Sequence, residues 1–260
     1  MSDTTGNEAF VHLLRAGVLD AELAALLWLL VEARVPVVVA GGSGALTAEV
    51  RDALLALLPD DARPVRLAGE DEEFGWLPEA TELGWRHERV ADGIAAAPHP
   101  DRGSTVLIAD LDDRPAGGTW GARARVAIRS LSVGYGMAAT AVGDRLEDVL
   151  GRLAASPVGA TDDELTGLGV VLLVRPGPSD LPRIVAAHYV RPVARDEHGH
   201  VQRMPPAVLA TWNPTADRFD HFAWGLTTEL AIRVGRSPIE LEREQARRAR
   251  DLAALAASPS

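Results

Sequence analysis

Apolar side chains recur at helical spacing near the start of the chain. Between residues 19 and 33 they fit a helix with one strongly buried face. The positions concerned are Leu19, Leu23, Leu26, Leu27 and Leu30. The continuous apolar run at residues 37–40 follows Pro36 and is typical of a parallel strand buried on both faces. A second helix is predicted at residues 48–58, so a buried strand lies between two helices.

The same alternation continues through the middle of the chain. The apolar pattern predicts strands at residues 65–68, 105–109, 137–142 and 170–174, and helices at residues 123–131 and 144–154. Strands that alternate with helices indicate βαβ units and a parallel sheet. The predicted fold class is therefore α/β with a mostly parallel sheet.

The last third of the chain has a different pattern. Residues 184–193, 208–212 and 218–222 read as antiparallel strands, and the turn-forming stretches "DEHGH" and "NPTAD" separate them. Ser237, Pro238 and Glu240 form a helix start with a capping box, and an arginine-rich helix is predicted to about residue 257. From these patterns we expect three parts: a disordered segment at residues 1–9, a core at residues 10–180, and a C-terminal appendage of strands and a helix at residues 181–257.

The composition excludes several kinds of catalytic and binding site. The 260 residues include no cysteine and no lysine, so all 26 basic residues are arginine. Disulfides, thiolate metal sites and cysteine nucleophiles are excluded, and no lysine is present for a Schiff base or a phosphate loop. The net charge of −11 disfavours binding to bare nucleic acid. A salt-loving source and a GC-rich genome are both compatible with this arginine bias.

No segment reads as a targeting signal or a membrane span. The first ten residues have neither a basic n-region nor an apolar h-region. The longest strongly apolar stretch, residues 24–31, is far shorter than the ~20 residues that span a bilayer. We expect a cytoplasmic protein that is peripheral to a membrane at most.

A glycine-rich turn follows the first strand in "VVVAGGSGALTAEV". Glycines at such a turn bring backbone N–H groups close to an anion, and the next helix adds a favourable dipole. A phosphate-binding loop also needs lysine and a following Ser/Thr, but Thr47 and Ala48 stand there when Gly41 is aligned with the first glycine. Two interpretations stay open: an ordinary βα turn, or a vestigial phosphate loop. The vestigial loop would comprise Gly41, Gly42, Ser43, Gly44 and Thr47.

Candidate acidic groups are few. Asp110 ends the buried strand "TVLIAD", as an acid that positions magnesium or water does, although a turn cap explains it equally well. Glu70 opens an acidic run at residues 70–73, and such runs are usually solvated loops. His198 and His200 flank a glycine, which indicates a hairpin tip rather than a metal site. No metal site is predicted, and Glu70 and Asp110 are the vestigial catalytic candidates.

The order of these features resembles the ATPase domain of type II/type IV secretion ATPases, with the archaeal pilus and archaellum assembly ATPases most similar. The resemblance extends over about residues 10–255 and rests on several weak motifs. They include Arg15, Gly17, Glu22, Leu26, Trp28, Ala40-Gly41-Gly42, Glu70–Glu73, Leu77-Pro78, Ile108-Ala109-Asp110 and the stretches "EDVLGRL", "VLATWNPTADRFDHF" and "GRSPIELEREQARRARDL". The resemblance implies a RecA-like P-loop NTPase core, and family members form hexameric rings that act on a membrane platform protein.

The departures from the family pattern concern the groups that carry its chemistry. Thr47 replaces the Walker A lysine, Ala48 replaces its hydroxyl residue, and Asp110 replaces the Walker B glutamate. Tyr135 and Val142 replace the two histidines of the histidine box. The family's separate N-terminal domain has no counterpart in this sequence. Together these losses imply that hydrolysis has been abandoned.

Two functions follow from the resemblance. The first is a pseudo-ATPase that binds no cofactor and acts as scaffold or regulator in a pilus-like or type II secretion-like machine. Its partner would be an active ATPase homologue or the platform protein, in a homo- or hetero-oligomeric ring. The alternative is a weak ATP-binding or ATP-hydrolysing motor subunit that uses Mg·ATP, with backbone amides and arginines in place of lysine.

Overall fold

Strands and helices alternate along the first two thirds of the chain. The computed structural model describes residues 3–42, 44–86, 101–114, 117–177, 181–195 and 201–258. The strands are β1 (Val37–Gly41), β2 (Arg63–Arg66), β3 (Thr105–Leu111), β4 (Gly136–Val142), β5 (Val170–Pro176), β6 (Pro182–Tyr189), β7 (Ala194–Arg195), β8 (Val201–Gln202), β9 (Ala207–Asn213) and β10 (Arg218–His221). The helices are α1 (Asp3–Arg15), α2 (Ala21–Glu32), α3 (Gly44–Leu55), α4 (Ala122–Ser130), α5 (Leu146–Ala154), α6 (Asp162–Leu165), α7 (Thr227–Arg233) and α8 (Pro238–Ala257).

One eight-stranded sheet organises the molecule, in the order β10-β9-β6-β5-β1-β4-β3-β2. The five strands from β5 to β2 in that order are parallel, whereas β6, β9 and β10 pair antiparallel. Strands β7 and β8 form a separate small ladder. The predicted α/β class, with a mostly parallel core and a C-terminal antiparallel appendage, is confirmed.

Helices cover both faces of this sheet, which explains why its central strand β1 is apolar throughout. Side chains of β1 alternate between two hydrophobic cores: Val37 and Val39 face one, and Val38 and Ala40 face the other. The first core is completed by α1, α2, α3, α7 and α8, and the second by α4, α5 and α6. Burial on both faces is the condition that favours a continuous apolar run in a parallel strand.

The start of α8 follows from its capping residues. Ser237 accepts a hydrogen bond from the backbone of Glu240, whose carboxylate accepts one from the Ser237 backbone, and Pro238 is the first helical residue. The predicted start and end of α8 are thus confirmed. Among the described residues, no helix combines the length and hydrophobicity needed to cross a bilayer.

Two predictions about helix starts differ from the structure. Residues 3–9 belong to α1 rather than to a disordered segment, since the helix is anchored further on by the buried side chains of Phe10, Leu13 and Leu14. Helix α3 begins at Gly44, four residues before the predicted start, because Ala45 and Leu46 are good helix formers and extend the helix into the glycine-rich stretch. The sequence pattern also did not predict α7.

A histidine links the edge strand β10 to the start of α2. Asp20 caps α2 by accepting a hydrogen bond from the Leu23 backbone at 2.9 Å, and its second carboxylate oxygen lies 2.8 Å from Nε2 of His221. Burial opposes protonation of His221, but the hydrogen bond to Asp20 and the nearby charges of Glu22 and Asp220 outweigh it and raise the pKa of the imidazole.

The His221 contact predicts a pH-dependent stability. Because the folded-state pKa of His221 lies above the unfolded value of about 6.5, its contribution is fully present below about pH 6.5 and is lost as pH rises through the folded pKa. We expect the stability advantage of the wild type over His221→Gln, measured by urea unfolding, to be larger at pH 6 than at pH 9. In an Asp20→Asn background, which keeps the helix cap, this pH dependence should shrink strongly. An advantage that does not change with pH would contradict the assignment.

Candidate functional site

The connection between β1 and α3 is the feature on which a phosphate site depends. Strand β1 ends at Gly41 and α3 begins at Gly44, so only Gly42 and Ser43 join them. Ser43 lies outside the described residues. A phosphate loop instead wraps its anion in several successive backbone N–H groups before the helix starts. In this protein the residues from Gly44 to Thr47, which would form such a loop, belong to α3 instead.

The first glycine of the stretch has a packing role. A Cβ atom on Gly41 would lie 2.5 Å from the backbone oxygen of Val174 on β5 and 3.2 Å from Cγ2 of Thr47. Contacts under 3.0 Å are essentially never made by a real Cβ, so β1 and β5 require glycine here irrespective of any ligand. Gly42 is unlike Gly41, since its nearest atom would be Oδ1 of Asp144 at 3.8 Å.

The residue at the lysine position faces the interior. Thr47 is 1% exposed, and its hydroxyl donates a hydrogen bond to the backbone oxygen of Gly44 at 3.1 Å within the helix. Ala48, at the Ser/Thr position, has no oxygen to offer a metal. The two positions that hold phosphate and magnesium in a Walker A motif therefore present no polar atom suited to either.

Asp110 is held by other side chains of the protein. Its Oδ1 lies 2.5 Å from Nη1 of Arg51 and accepts a hydrogen bond from the hydroxyl of Thr140 at 2.7 Å. Thr140 is its direct neighbour across β3 and β4. Arg51 comes from α3, is almost fully buried, and also donates from Nε to Asp52 at 2.8 Å. The carboxylate at the Walker B position thus joins α3 to the sheet as an internal ion pair.

A second arginine lies over the start of α3. Arg114 donates from its backbone and its Nε to the buried Asp112 at 3.0 and 2.9 Å, and the hydrogen bond and charge of Asp112 raise the pKa of the guanidinium. A Cβ on Gly44 would lie only 2.5 Å from Nη1 of Arg114. The guanidinium therefore occupies space at the helix start that an anion would need.

In the acidic run after β2, Glu72 has a structural role and Glu70 is exposed to solvent. Glu72 is buried and accepts hydrogen bonds from the backbones of Ala68 and Phe74 at 2.9 and 2.7 Å. Glu70 lies in the short turn Gly69–Asp71 with its side chain in solvent, and no described residue forms an ion pair with it. The structure therefore gives Glu70 none of the partners that Asp110 has.

The two positions of the histidine box lie at opposite ends of β4. Val142 is the last residue of the strand and pairs with Gly41, beside the β1–α3 connection. Tyr135 precedes the strand, where its hydroxyl donates to Glu79 at 3.2 Å; burial, reinforced by the Glu79 charge, raises its pKa to about 12. Tyr135 is thus a structural group, while Val142 contributes only an apolar surface. His198 and His200 lie outside the described residues.

The residues present do not fit Mg·ATP. The connection is short, the lysine and hydroxyl positions are apolar or buried, Asp110 is paired, and Arg114 covers the helix start. No cluster of three or more His, Asp or Glu suited to a metal occurs within the described ranges. The groups that sequence reasoning missed are Arg51, Arg114 and Thr140. The available signal was weak: Arg51 follows Thr47 by four residues, which places both on one helical face.

Of the comparisons with known proteins, the one with solved structures gives a match. No protein-family model matches the chain, and a comparison with curated protein sequences also finds none. Among solved structures, a similar one is the crystal structure of the VirB11 ATPase from the Brucella suis type IV secretion system in complex with sulphate. The identity is 20% and the TM-score 0.44 over 73% of this chain. The match spans 57% of the VirB11 chain, less than two thirds of its length.

Proposed function

We propose that this protein is a non-catalytic relative of the type II/type IV secretion ATPases that acts as a scaffold or regulator. The observation that carries the proposal is the position at which α3 begins. With the helix starting at Gly44, the backbone N–H groups of residues 44–46 point along the helix axis, whereas those of a phosphate loop curve around the anion. This helix start lies beneath the guanidinium of Arg114.

The state of the acidic group supports the same conclusion. Hydrolysis needs a carboxylate that is free to position magnesium or water. Asp110 is engaged by Arg51 and Thr140, which links α3 to β3 and β4 and stabilises the fold instead. A protein with this arrangement keeps the shape of an ATPase core and offers its surface to partners. We propose as partners an active ATPase homologue or the membrane platform protein of the same machine.

One observation favours a second candidate, weak ATP binding. The guanidinium of Arg114 stands where a phosphate would meet the helix start, and arginine recognises phosphate oxygens through paired N–H groups. If Arg114 turned away from Asp112, it would supply the positive charge that Thr47 lacks. The two candidates make opposite predictions for nucleotide binding.

The test is a titration of the full chain with a fluorescent N-methylanthraniloyl ATP analogue and magnesium, at low and high salt. We expect no saturable binding up to millimolar nucleotide, because Thr47 and Ala48 supply neither the positive charge nor the metal ligand of a Walker A motif, and the guanidinium of Arg114 lies at the helix start. Gly44→Val and Arg114→Ala are measured alongside. Both side chains border the loop, and a bulkier residue 44 displaces only the mobile end of Arg114.

The variants separate the outcomes. Binding by the wild type that Gly44→Val and Arg114→Ala both abolish would overturn the proposal and establish the second candidate. If Arg114→Ala binds nucleotide and the wild type does not, the proposal would also be overturned. The loop would then still be able to bind phosphate, and the side chain of Arg114 would only block it. Absence of binding in all three proteins leaves the scaffold or regulator function as proposed.

A further inference from the structure

The outer surface of the C-terminal appendage has an apolar groove. It lies between α8, the segment leading into α7, and the start of α2, and has a volume of about 510 Å³. Leu230 and Leu241 form part of its wall. Ala246 and Ala249 line it on the α8 side, where their small side chains leave the groove open. Trp224 lies at the rim with 80% of its surface exposed. We call this surface the Trp224 groove.

The fold does not account for the exposure of Trp224. Helix α8 packs on α2 through the neighbouring face, where Leu252 is buried and the guanidinium of Arg248 lies 4.7 Å from the centre of the Trp28 ring. An exposed tryptophan beside an apolar groove is the arrangement that interface hot spots use, because truncation of a buried aromatic anchor costs most of the binding energy. The groove therefore has the form of a binding surface for another chain.

Arginines next to the groove indicate the charge of that chain. Arg243 and Arg250 lie seven residues apart on α8 and so share one face of the helix, and Arg236 precedes the helix. None of the three forms an ion pair within 4 Å of a carboxylate in the described part of the chain. Among the described residues, Arg250 donates a hydrogen bond to the backbone oxygen of Ala246. In a protein of net charge −11, these cations favour an acidic partner.

Neighbouring carboxylates on α8 do not neutralise this face. Glu244 is bound by Arg247 and Arg248, whose hydrogen bonds lower its pKa to about 2. Glu240 is engaged in the capping box with Ser237, which lowers its pKa, and Arg236 and Arg243 add only a more distant charge effect. Both carboxylates already serve other groups, so the exposed guanidinium groups keep their capacity for carboxylates of a partner.

We propose that the Trp224 groove and the adjacent arginines bind an acidic amphipathic helix of a partner protein. Its apolar face fills the groove beside Trp224, and its carboxylates face Arg243 and Arg250. Seven residues of helix rise by about 10 Å, so acidic residues seven apart on a helix lying along α8 match these two arginines. Glu22 and Glu242 also line the groove and repel acidic residues near them, so the partner's carboxylates are expected towards Arg243 and Arg250. This proposal does not depend on the nucleotide site.

The experiment uses a synthetic 18-residue peptide labelled with fluorescein. The peptide is helical, has leucines at alternating three- and four-residue spacing, and has glutamates seven residues apart on one flank. Its anisotropy is measured with the full chain at rising salt concentration. We expect saturable binding that weakens with salt. Trp224→Ala and the double substitution Arg243→Glu with Arg250→Glu should each weaken it at least about tenfold.

The controls decide whether the chemistry is as proposed. The double substitution Arg145→Glu with Arg218→Glu changes the net charge equally on other exposed surfaces and should change the affinity less than about twofold. A peptide with lysine in place of glutamate should bind at least about tenfold more weakly. Equal binding of both peptides, or no saturable binding of the acidic one, would overturn the proposal. So would binding to vesicles of anionic phospholipid without binding to the peptide, since the surface would then serve a membrane.

Discussion

Replacing Asp110 by alanine is expected to lower the free energy of unfolding by about 2–3 kcal/mol. The side chain of Arg51 is 4% exposed and would lose its carboxylate partner on β3, and the hydroxyl of Thr140 would lose its acceptor. The expected loss is at the lower end for a broken buried pair, because Asp52 still accepts from Arg51 and the Asp110 carboxylate is partly in solvent. Urea unfolding followed by far-ultraviolet circular dichroism measures the change.

A control and a double variant make this result specific. Asp113→Ala removes an exposed pair with Arg152 and should change stability by less than about 0.5 kcal/mol. Combining Asp110→Ala with Arg51→Met should cost less than the sum of the single substitutions, since the two charges are then removed together. An unchanged stability of Asp110→Ala would contradict the structural role and leave the carboxylate free for chemistry.

The second large effect is expected at the first glycine of the turn. Gly41→Ala should destabilise the protein by about 3 kcal/mol, because the new Cβ meets the backbone oxygen of Val174 and cannot move without separating β1 from β5. Gly42→Ala is the matched control and should change stability by less than about 1 kcal/mol, since its Cβ has space. The same unfolding measurement applies to both.

The comparison of these two glycines tests the meaning of the motif. If Gly41 is retained for the packing of β1 against β5, the two substitutions differ widely in stability even in the absence of nucleotide. If the turn is instead shaped for a ligand, both substitutions leave stability nearly unchanged and affect binding. Equal stability of Gly41→Ala and Gly42→Ala would therefore contradict the packing role.

The sequence predicts those parts of the fold that depend on local signals. Strand β1 has a continuous apolar run, α2 has apolar side chains at helical spacing, and α8 has a capping box with proline at its first position. Each signal lies within the element it specifies. Helix α7 lacks a side-chain cap and is only seven residues long, so its periodicity is too brief to recognise.

The start of α3 shows how a local signal misleads. The glycines of the turn indicate a loop, and this supported a helix that begins at residue 48. The structure continues the helix back to Gly44, where Ala45 and Leu46 are helix formers, Leu46 packs against the first core and Thr47 is buried. Tertiary contacts overrode the loop signal, and the length of the connection decides whether a phosphate fits.

The partners of Asp110 could not be predicted from the sequence, for a different reason. Its place on a buried strand is a local property and was predicted. Arg51 precedes it by 59 residues and meets it only because α3 lies across β1 and β4. Thr140 becomes its neighbour through the pairing of β3 with β4. Contacts that depend on the order of strands in the sheet have no signature in a single sequence.

The pairing of β5 with β6 also determines how the protein responds to force. All seven residues of β5 pair with β6, with one register shift between Leu173 and Val174, so the appendage is joined to the core by a ladder of backbone hydrogen bonds. A pull on α8 is carried into this ladder and through the buried Arg248 contact with Glu32 into α2. We therefore expect a load on α8 to be shared between the sheet and α2.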